Sequence, residues 1–321
     1  MKQVLGAAIL AFVLGLGIWY LQNIQATSII SGVVSSAKDV LKNDGGRTNI
    51  MLLGIGGEGH EGGELTDSML FVSFDLEKNT ALMIPIPRDI WIPSLKAKIN
   101  TAYFYGNKDQ IGGGIDNVKI AVSEILGVPI HYVVRLDFQG FVKAIDAVGG
   151  IDIEVSQTFD DYKYPIPGKE NAEPEALRYE HVHFEKGNIH MDGATALKYA
   201  RSRHALGDEG TDFARSARQQ KVILAFKDKV LSTSTIFSKE TIDELKSSII
   251  TSIDTDIGSA EQGSFLKLFL GLGSKDNLSS IEITNFLESP KNIKDYGGQW
   301  VLVPTPNLSA LQSYVKTQLA K

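Results

Sequence analysis

The sequence predicts an α/β fold, a three-layer α/β/α sandwich built on a central mixed sheet and preceded by one transmembrane helix. Three observations carry that expectation. Short continuous apolar runs at Ile50–Ile55, Met69–Phe74 and Ala81–Ile86 have the character of strands covered on both faces. A strand, helix, strand unit follows, with strands at Ile130–Leu136 and Ile151–Val155 around a helical pattern at Phe138–Val148 that Gly149-Gly150 ends. Finally, Val4–Leu21 contains no charged residue.

The apolar run comes first in the chain. At 1.5 Å rise per residue it would span roughly 27 Å as a helix, close to the thickness of a bilayer core. Lys2 precedes it and Trp19-Tyr20 close it, which places the amino terminus in the cytoplasm and the remainder outside the cell membrane as a single-pass protein. The run is longer than the apolar core of a signal peptide, and no clear Ala-x-Ala site follows. Residues 1–22 are therefore read as cytoplasmic stub and membrane helix, in contact with the lipid bilayer through 4–21. Residues 23–47 form a helical juxtamembrane linker stopped by Asp44-Gly45-Gly46, and 48–321 form the extracytoplasmic domain.

Within that domain, the polar stretch Asp75–Thr80 suits a hairpin turn, so the sheet mixes antiparallel and parallel neighbours. Residues 156–190 are polar, carry Pro165, Pro167 and Pro174, and read as a long loop. Helical patterns are expected at 192–200, 211–231, 239–253 and 260–270. Ile281–Phe286 and Trp300–Val303 are expected to return as strands to the same sheet. No linker-like stretch divides the chain beyond residue 47, which favours one α/β domain with helices on both faces of its sheet.

Composition narrows the chemistry. With 32 Lys and Arg against 38 Asp and Glu, the chain of 321 residues has a formal charge of -6 and lacks the general basic surface of a duplex nucleic-acid binder, so no nucleic acid is expected as a partner. The absence of Cys removes thiol nucleophiles and Cys-ligated zinc. Gly54–His60 follows a strand, but lacks both the G-x-x-x-x-G-K-[ST] and G-x-G-x-x-G patterns of phosphate-binding loops. The six His, among them His60, His181, His183, His190 and His204, show no metal-site spacing and read as solvated loop residues. No G-x-S-x-G elbow is present.

One window is basic. Residues 198–229 carry eight Lys and Arg, including Arg201, Arg203, Arg215 and Arg218, against four carboxylates. Arg201 and Arg203 share a face if Tyr199–His204 is extended, and Arg215 and Gln219 share a face of the following helix. Guanidinium forks match phosphate oxygens in a way that Lys does not. Arg88, just past the strand ending at Ile86, and Asp67, just before the strand beginning at Met69, complete a carboxylate-plus-arginine set of the kind used in magnesium-assisted phosphoryl chemistry.

The ordered segments Asn49–Gly54, Thr66-Asp67-Ser68, Ile86-Pro87-Arg88-Asp89, Lys98–Tyr103, Phe141–Ile153, Asp192-Gly193, Ala196–Arg203 and Asp212–Gln220 strongly resemble the LytR-CpsA-Psr family of cell-envelope proteins, across about residues 48–231. The resemblance implies a single-pass membrane protein whose extracytoplasmic α/β/α domain holds a polyprenyl chain in an apolar pocket. It further implies a transferase that moves a glycopolymer from a polyprenyl-pyrophosphate carrier onto peptidoglycan, with Mg2+ as cofactor. By motif, Asp67 resembles the magnesium-binding aspartate, with Asp67 and Arg88 as the catalytic pair. Arg88, Arg201, Arg203, Arg215 and Gln219 resemble the pyrophosphate-contacting set, Lys98 the basic residue of a K-x-N motif, and Asp212 an acidic helper before the helix. Gly56 and Leu65 stand where many members carry an aspartate and an arginine, which leaves Glu58, His60, Glu61 or Glu64 as replacement metal ligands. A polyprenyl-pyrophosphate hydrolase and a non-enzymatic envelope regulator that binds lipid-linked glycan are the alternatives.

Overall fold

The computed structural model describes residues 36–57, 63–169, 171–202, 204–230, 252–271 and 277–321. The apolar run at 4–21, most of the 23–47 linker, the loop residues Glu58, His60 and Glu61, Arg203 and most of the 239–253 helical pattern lie outside them. Among the described residues, no helix is long and apolar enough to cross a membrane.

In chain order the elements are α1 (Ala37–Val40), β1 (Arg47–Ile55), β2 (Thr66–Asp75), β3 (Thr80–Pro85), β4 (Trp91–Ile92), β5 (Ala97–Lys98), α2 (Ala102–Asp109), α3 (Gly113–Leu126), β6 (Tyr132–Asp137), α4 (Phe138–Ala147), β7 (Ile151–Val155), β8 (Phe159–Pro165), β9 (Tyr179–Phe184), β10 (Gly187–Met191) and α5 (Gly193–Arg201). Then come α6 (Asp212–Val230), β11 (Ile253–Thr255), α7 (Ser259–Gly271), β12 (Leu278–Ser280), β13 (Leu287–Glu288), β14 (Val303–Pro304) and α8 (Leu308–Leu319). Six strands form a central sheet in the order β11-β6-β1-β2-β3-β12. It is mixed, as expected, because β2 and β3 run antiparallel while β12 lies parallel to β3. The β2–β3 turn is set by Asp75, whose Oδ1 accepts the backbone N–H groups of Glu77 and Lys78.

The chain divides into two compact units, one of residues 24–53, 65–134 and 255–321, the other of 54–64 and 135–254, each with its described residues. In the first, the alternation of the strands sorts side chains onto two faces. Met51, Leu53, Met69, Phe71, Ile84 and Ile86 join Val118, Val122 and Ile125 of α3 and Leu311 and Val315 of α8 in one apolar core. Their neighbours Ile50, Leu52 and Leu70 are equally buried. On the side opposite Val133, Tyr132 meets Phe265 of α7 edge-on at 5.1 Å. Helices therefore cover both sides of the strands, which is why β1 reads as an unbroken apolar run rather than an alternating one.

The second unit packs α4, α5 and α6 with the antiparallel pairs β7/β10 and β8/β9. Asp192 caps α5 by accepting the Thr195 N–H, and the next residue must be small: a Cβ on Gly193 would lie 2.1 Å from the carbonyl oxygen of Val142 in α4. At the far end of α4, Gly150 takes φ +80°, and a side chain there would strike His190.

Several expectations are corrected. Residues 156–190 are not a long loop; they contain β8, β9 and the start of β10, and a register shift between Asp161 and Tyr164 breaks the alternation that would have revealed β8. Residues 281–286 do not form a sheet strand: the pairing partner of β3 is Leu278–Ser280, and Thr284–Phe286 is a 3-10 turn. Val303–Pro304 pairs with Leu287–Glu288 in a separate two-stranded ribbon instead of joining the central sheet. Ile253, the last residue of the helical pattern expected at 239–253, instead opens the strand Ile253–Thr255. Tyr199–Arg201 is the last turn of α5, so Arg201 projects from a helix and not from an extended segment.

Candidate functional site

In the first unit, four charged side chains stand in one chain at the ends of β2 and β3. Arg88 donates from Nη1 to Asp67 Oδ1 at 2.5 Å, and its Nε lies 3.7 Å from Asp89 Oδ2. Lys98 donates from Nζ to Asp89 Oδ1 at 2.7 Å. Sign alternates along the row Asp67, Arg88, Asp89, Lys98, so each charge has an opposite neighbour. Exposure is uneven: Asp67 and Arg88 keep 44% and 39% of their side chains in solvent, whereas Asp89 keeps 12%. The outer pair is thus open to a ligand, and the inner carboxylate holds the two cations in place.

Backbone bonds beneath this row explain the Lys98–Tyr103 motif. Asn100 N–H donates to the Arg88 carbonyl at 3.3 Å, and Ile99 N–H to the Ile90 carbonyl at 2.7 Å. Thr66 Oγ1 donates to the Asn100 carbonyl at 3.1 Å, tying the residue before Asp67 to the same turn. Ile99 is fully buried and anchors the turn in the core. Asn100 Oδ1 is buried with no hydrogen-bond partner, an atom that ordinarily costs stability unless a ligand or water uses it. Asp89 and Asn100 had been read only as parts of motifs; their roles could have been suspected from the adjacency of Asp89 to Arg88 and from an Asn amid apolar neighbours.

The donor chemistry fits magnesium. That ion takes oxygen ligands and is commonly held by one or two carboxylates together with substrate phosphates. Asp67 offers such an oxygen, since Arg88 engages only Oδ1 and nearly half the side chain is exposed. Glu64, the one described member of the suggested replacement ligands, is exposed.

In the second unit, Arg201 ends α5. Its guanidinium lies 4.2 Å from the centre of the Phe138 ring, and Nη1 reaches the Tyr164 hydroxyl at 3.4 Å. Burial raises the Tyr164 hydroxyl above its ordinary pKa, with the Arg201 charge opposing. On α6, Arg215 and Gln219 are both buried, and Gln219 Nε2 donates to the Ala200 carbonyl at 3.0 Å while its Oε1 has no hydrogen-bond partner. Asp212 is the first residue of α6. The i,i+4 pair on one helix face is thus in place beside the end of α5 that carries Arg201.

Two buried residues shape this region. Arg218 donates to the carbonyls of Tyr199, Ser202 and Glu209 and from Nη1 to the Glu209 carboxylate at 2.5 Å. Burial lowers its pKa, and Glu209 opposes that shift. Asp161, wholly buried, accepts Ser202 Oγ at 2.7 Å and His204 N–H at 3.1 Å through Oδ2. Together they pin the chain on either side of Arg203.

The LytR_cpsA_psr family model matches residues 21–317. TagV of Bacillus subtilis (strain 168), a polyisoprenyl-teichoic acid–peptidoglycan teichoic acid transferase, is 32% identical over 225 residues, which is 68% of this chain and 51% of that protein. A TagU of the same description from Oceanobacillus iheyensis is 30% identical over 252 residues, 77% of this chain and 70% of that protein. The chain spans 51% and 55% of the first two curated relatives it matches, about half their length. Among solved structures, B. subtilis TagV superimposes with a TM-score of 0.55 at 26% identity, covering 87% of this chain and 99% of the other. Lin1025 from Listeria innocua shares the fold with a TM-score of 0.57 at 24% identity, over 84% of this chain and 96% of that one.

Proposed function

The chain belongs to the LytR-CpsA-Psr family, and from that premise we propose that it moves an anionic glycopolymer from a polyprenyl-pyrophosphate carrier onto peptidoglycan. The curated relatives bear the name of that reaction with teichoic acid as the polymer. The single observation that carries the reading here is the solvent-facing Asp67–Arg88 pair, backed by Asp89 and Lys98. A carboxylate and a guanidinium already in contact form a preorganised site for a phosphate with its counter-cation.

In this reading the pyrophosphate takes up the Arg88 guanidinium, which frees the Asp67 carboxylate; Asp67 would hold magnesium, and the ion would supply charge neutralisation to the phosphate. Lys98 keeps Asp89 paired while Arg88 turns outward. Arg201, Arg203, Arg215 and Gln219 are the groups that the family motifs assign to phosphate binding, with Asp212 as an acidic helper. A peptidoglycan hydroxyl attacks the phosphorus nearest the glycan. A new P–O bond forms, the bond to the bridging oxygen breaks, and polyprenyl phosphate leaves with that electron pair. The hydroxyl proton passes to solvent, which the exposure of Asp67 permits. Residues 4–21 anchor the chain in the cell membrane, with the folded part on the outer side where peptidoglycan lies.

The test is transfer of a radiolabelled polyprenyl-pyrophosphate glycan to isolated peptidoglycan by the purified chain with magnesium. Wall-bound label that disappears in Asp67→Ala and Arg88→Ala supports the proposal. Released glycan phosphate would replace it with a hydrolase, and lipid binding without turnover would replace it with a binding protein.

A further inference from the structure

The β8/β9 hairpin carries a cluster of side chains that the transfer reaction does not use. Asp160 on β8 stands directly across from His183 on β9. His181 lies two residues before His183, so both rings leave the same face of the strand. His181 Nε2 is 2.7 Å and His183 Nδ1 2.8 Å from a single carboxylate oxygen, Asp160 Oδ1. One ligand atom from each of the three residues falls within 4.8 Å of the others. No local H-x-x-x-H spacing announces this set, because it is assembled across two strands; the sequence had suggested only solvated loop histidines.

Two further contacts orient the rings. The other nitrogen of His183, Nε2, faces Glu185 Oε2 at 3.3 Å, and Glu185 in turn accepts Thr158 Oγ1 at 2.7 Å. A carboxylate behind the far nitrogen of a histidine is the usual outer partner of a metal-ligating imidazole, fixing its tautomer and direction. The ring of His181 is stacked on Tyr162, with centroids 4.3 Å apart and planes 6° from parallel. Tyr162, two residues after Asp160, leaves β8 on the same face as that carboxylate.

We propose that Asp160, His181 and His183 form a binding site for a borderline divalent transition metal such as zinc. Two imidazoles and a carboxylate suit such an ion and not magnesium, which prefers an all-oxygen shell. Ligand atoms about 2.0–2.1 Å from a tetrahedral ion stand about 3.3 Å apart, so the present contacts need to open by about half an ångström. All three side chains are substantially exposed, which allows both that adjustment and entry of the ion. A fourth position stays open to water.

The site also bears on the arginine-bearing segment. The main-chain carbonyl of Asp160 accepts Leu206 N–H at 3.2 Å, and its neighbour Asp161 holds Ser202 and His204. Fixing β8 through a bound ion stiffens the chain on both sides of Arg203.

The experiment is calorimetric titration of the tag-free, EDTA-treated full chain with zinc alone in excess magnesium, repeated with cobalt to read the visible absorption of a tetrahedral nitrogen-ligated ion. One saturable equivalent is expected. Affinity should fall at least about tenfold in His181→Ala and in His183→Ala, and by about tenfold or more in Glu185→Gln, which alters only the outer partner. His190→Ala, at the separate His190–Asp152 pair, should bind as the parent does. Hydrogen exchange at Leu206 should slow on addition of zinc. Absence of saturable binding, or binding that persists in the His181→Ala/His183→Ala double variant, overturns the proposal.

Discussion

Arg88 and Arg218 both pair with a carboxylate at 2.5 Å, yet their surroundings assign them opposite work. Arg218 keeps only 3% of its side chain in solvent and spends its donors on three backbone carbonyls and Glu209. Four of its five N–H donors are spent in this way, and burial shields the guanidinium from a ligand. Arg88 keeps 39% of its side chain exposed, donates one hydrogen bond to Asp67 and lies 3.7 Å from Asp89, so it retains donors for a ligand. An arginine whose donors are spent on the fold is a structural tie; one that shares a single bond with an exposed carboxylate is available to exchange that bond for a phosphate.

The contrast can be broken or sharpened by substitution. The largest effect belongs to Arg218→Met, which strands the buried carbonyls and leaves Glu209 without its partner. Denaturant unfolding should show a loss of about 3–5 kcal/mol, the range for breaking a buried ion pair from one side. Arg88→Ala should lower glycan transfer by about 10²–10³, the cost of removing one preorganised donor to a transition-state oxyanion, while leaving the unfolding free energy within about 0.5 kcal/mol, as for an exposed substitution.

Asp161→Ala tests the second tie. It removes the acceptor of Ser202 Oγ and His204 N–H from a wholly buried position, and chemical denaturation should report a loss of about 2 kcal/mol. Asp192→Ala should cost about 1 kcal/mol by uncapping α5. That loss depends on pH. Hydrogen bonds from the side chain and backbone of Thr195 hold the Asp192 carboxyl below its ordinary pKa. A folded value below the unfolded one gives stability that is present above the unfolded value, about 3.9 for an aspartate, and lost as pH falls through the folded one. Melts of the parent and Asp192→Ala should therefore converge in acid and separate above about pH 4.

The two regions were unequally legible in the sequence. Asp67 and Arg88 stand at the ends of strands whose apolar runs are unmistakable, so their placement beside one another followed from a hairpin turn at Asp75–Thr80. The β2/β3 pairing delivers both to one sheet end. Arg218 was visible only as a positive charge in a basic window, because burial of a guanidinium under backbone carbonyls leaves no trace in spacing. Strand β8 was missed for a related reason: its buried residues Phe159, Asp161 and Tyr164 include a charged one and a shift in register, so polarity and period both pointed to a loop. The Asp160–His181–His183 cluster vanished with it. Helices α2, α3 and α8 were not anticipated, although α3 ends at Gly127 with φ +69°, a stop signal that was present in the sequence.

The most direct test of the account measures transfer and unfolding side by side in Arg88→Ala and Arg218→Met. Arg88→Ala is expected to lose about 10²–10³ in turnover at an unchanged denaturant midpoint, and Arg218→Met to move the midpoint while its folded fraction still turns over. An Arg88→Ala protein that loses stability in step with turnover, or that transfers label as the parent does, would contradict the assignment of Arg88 to the substrate.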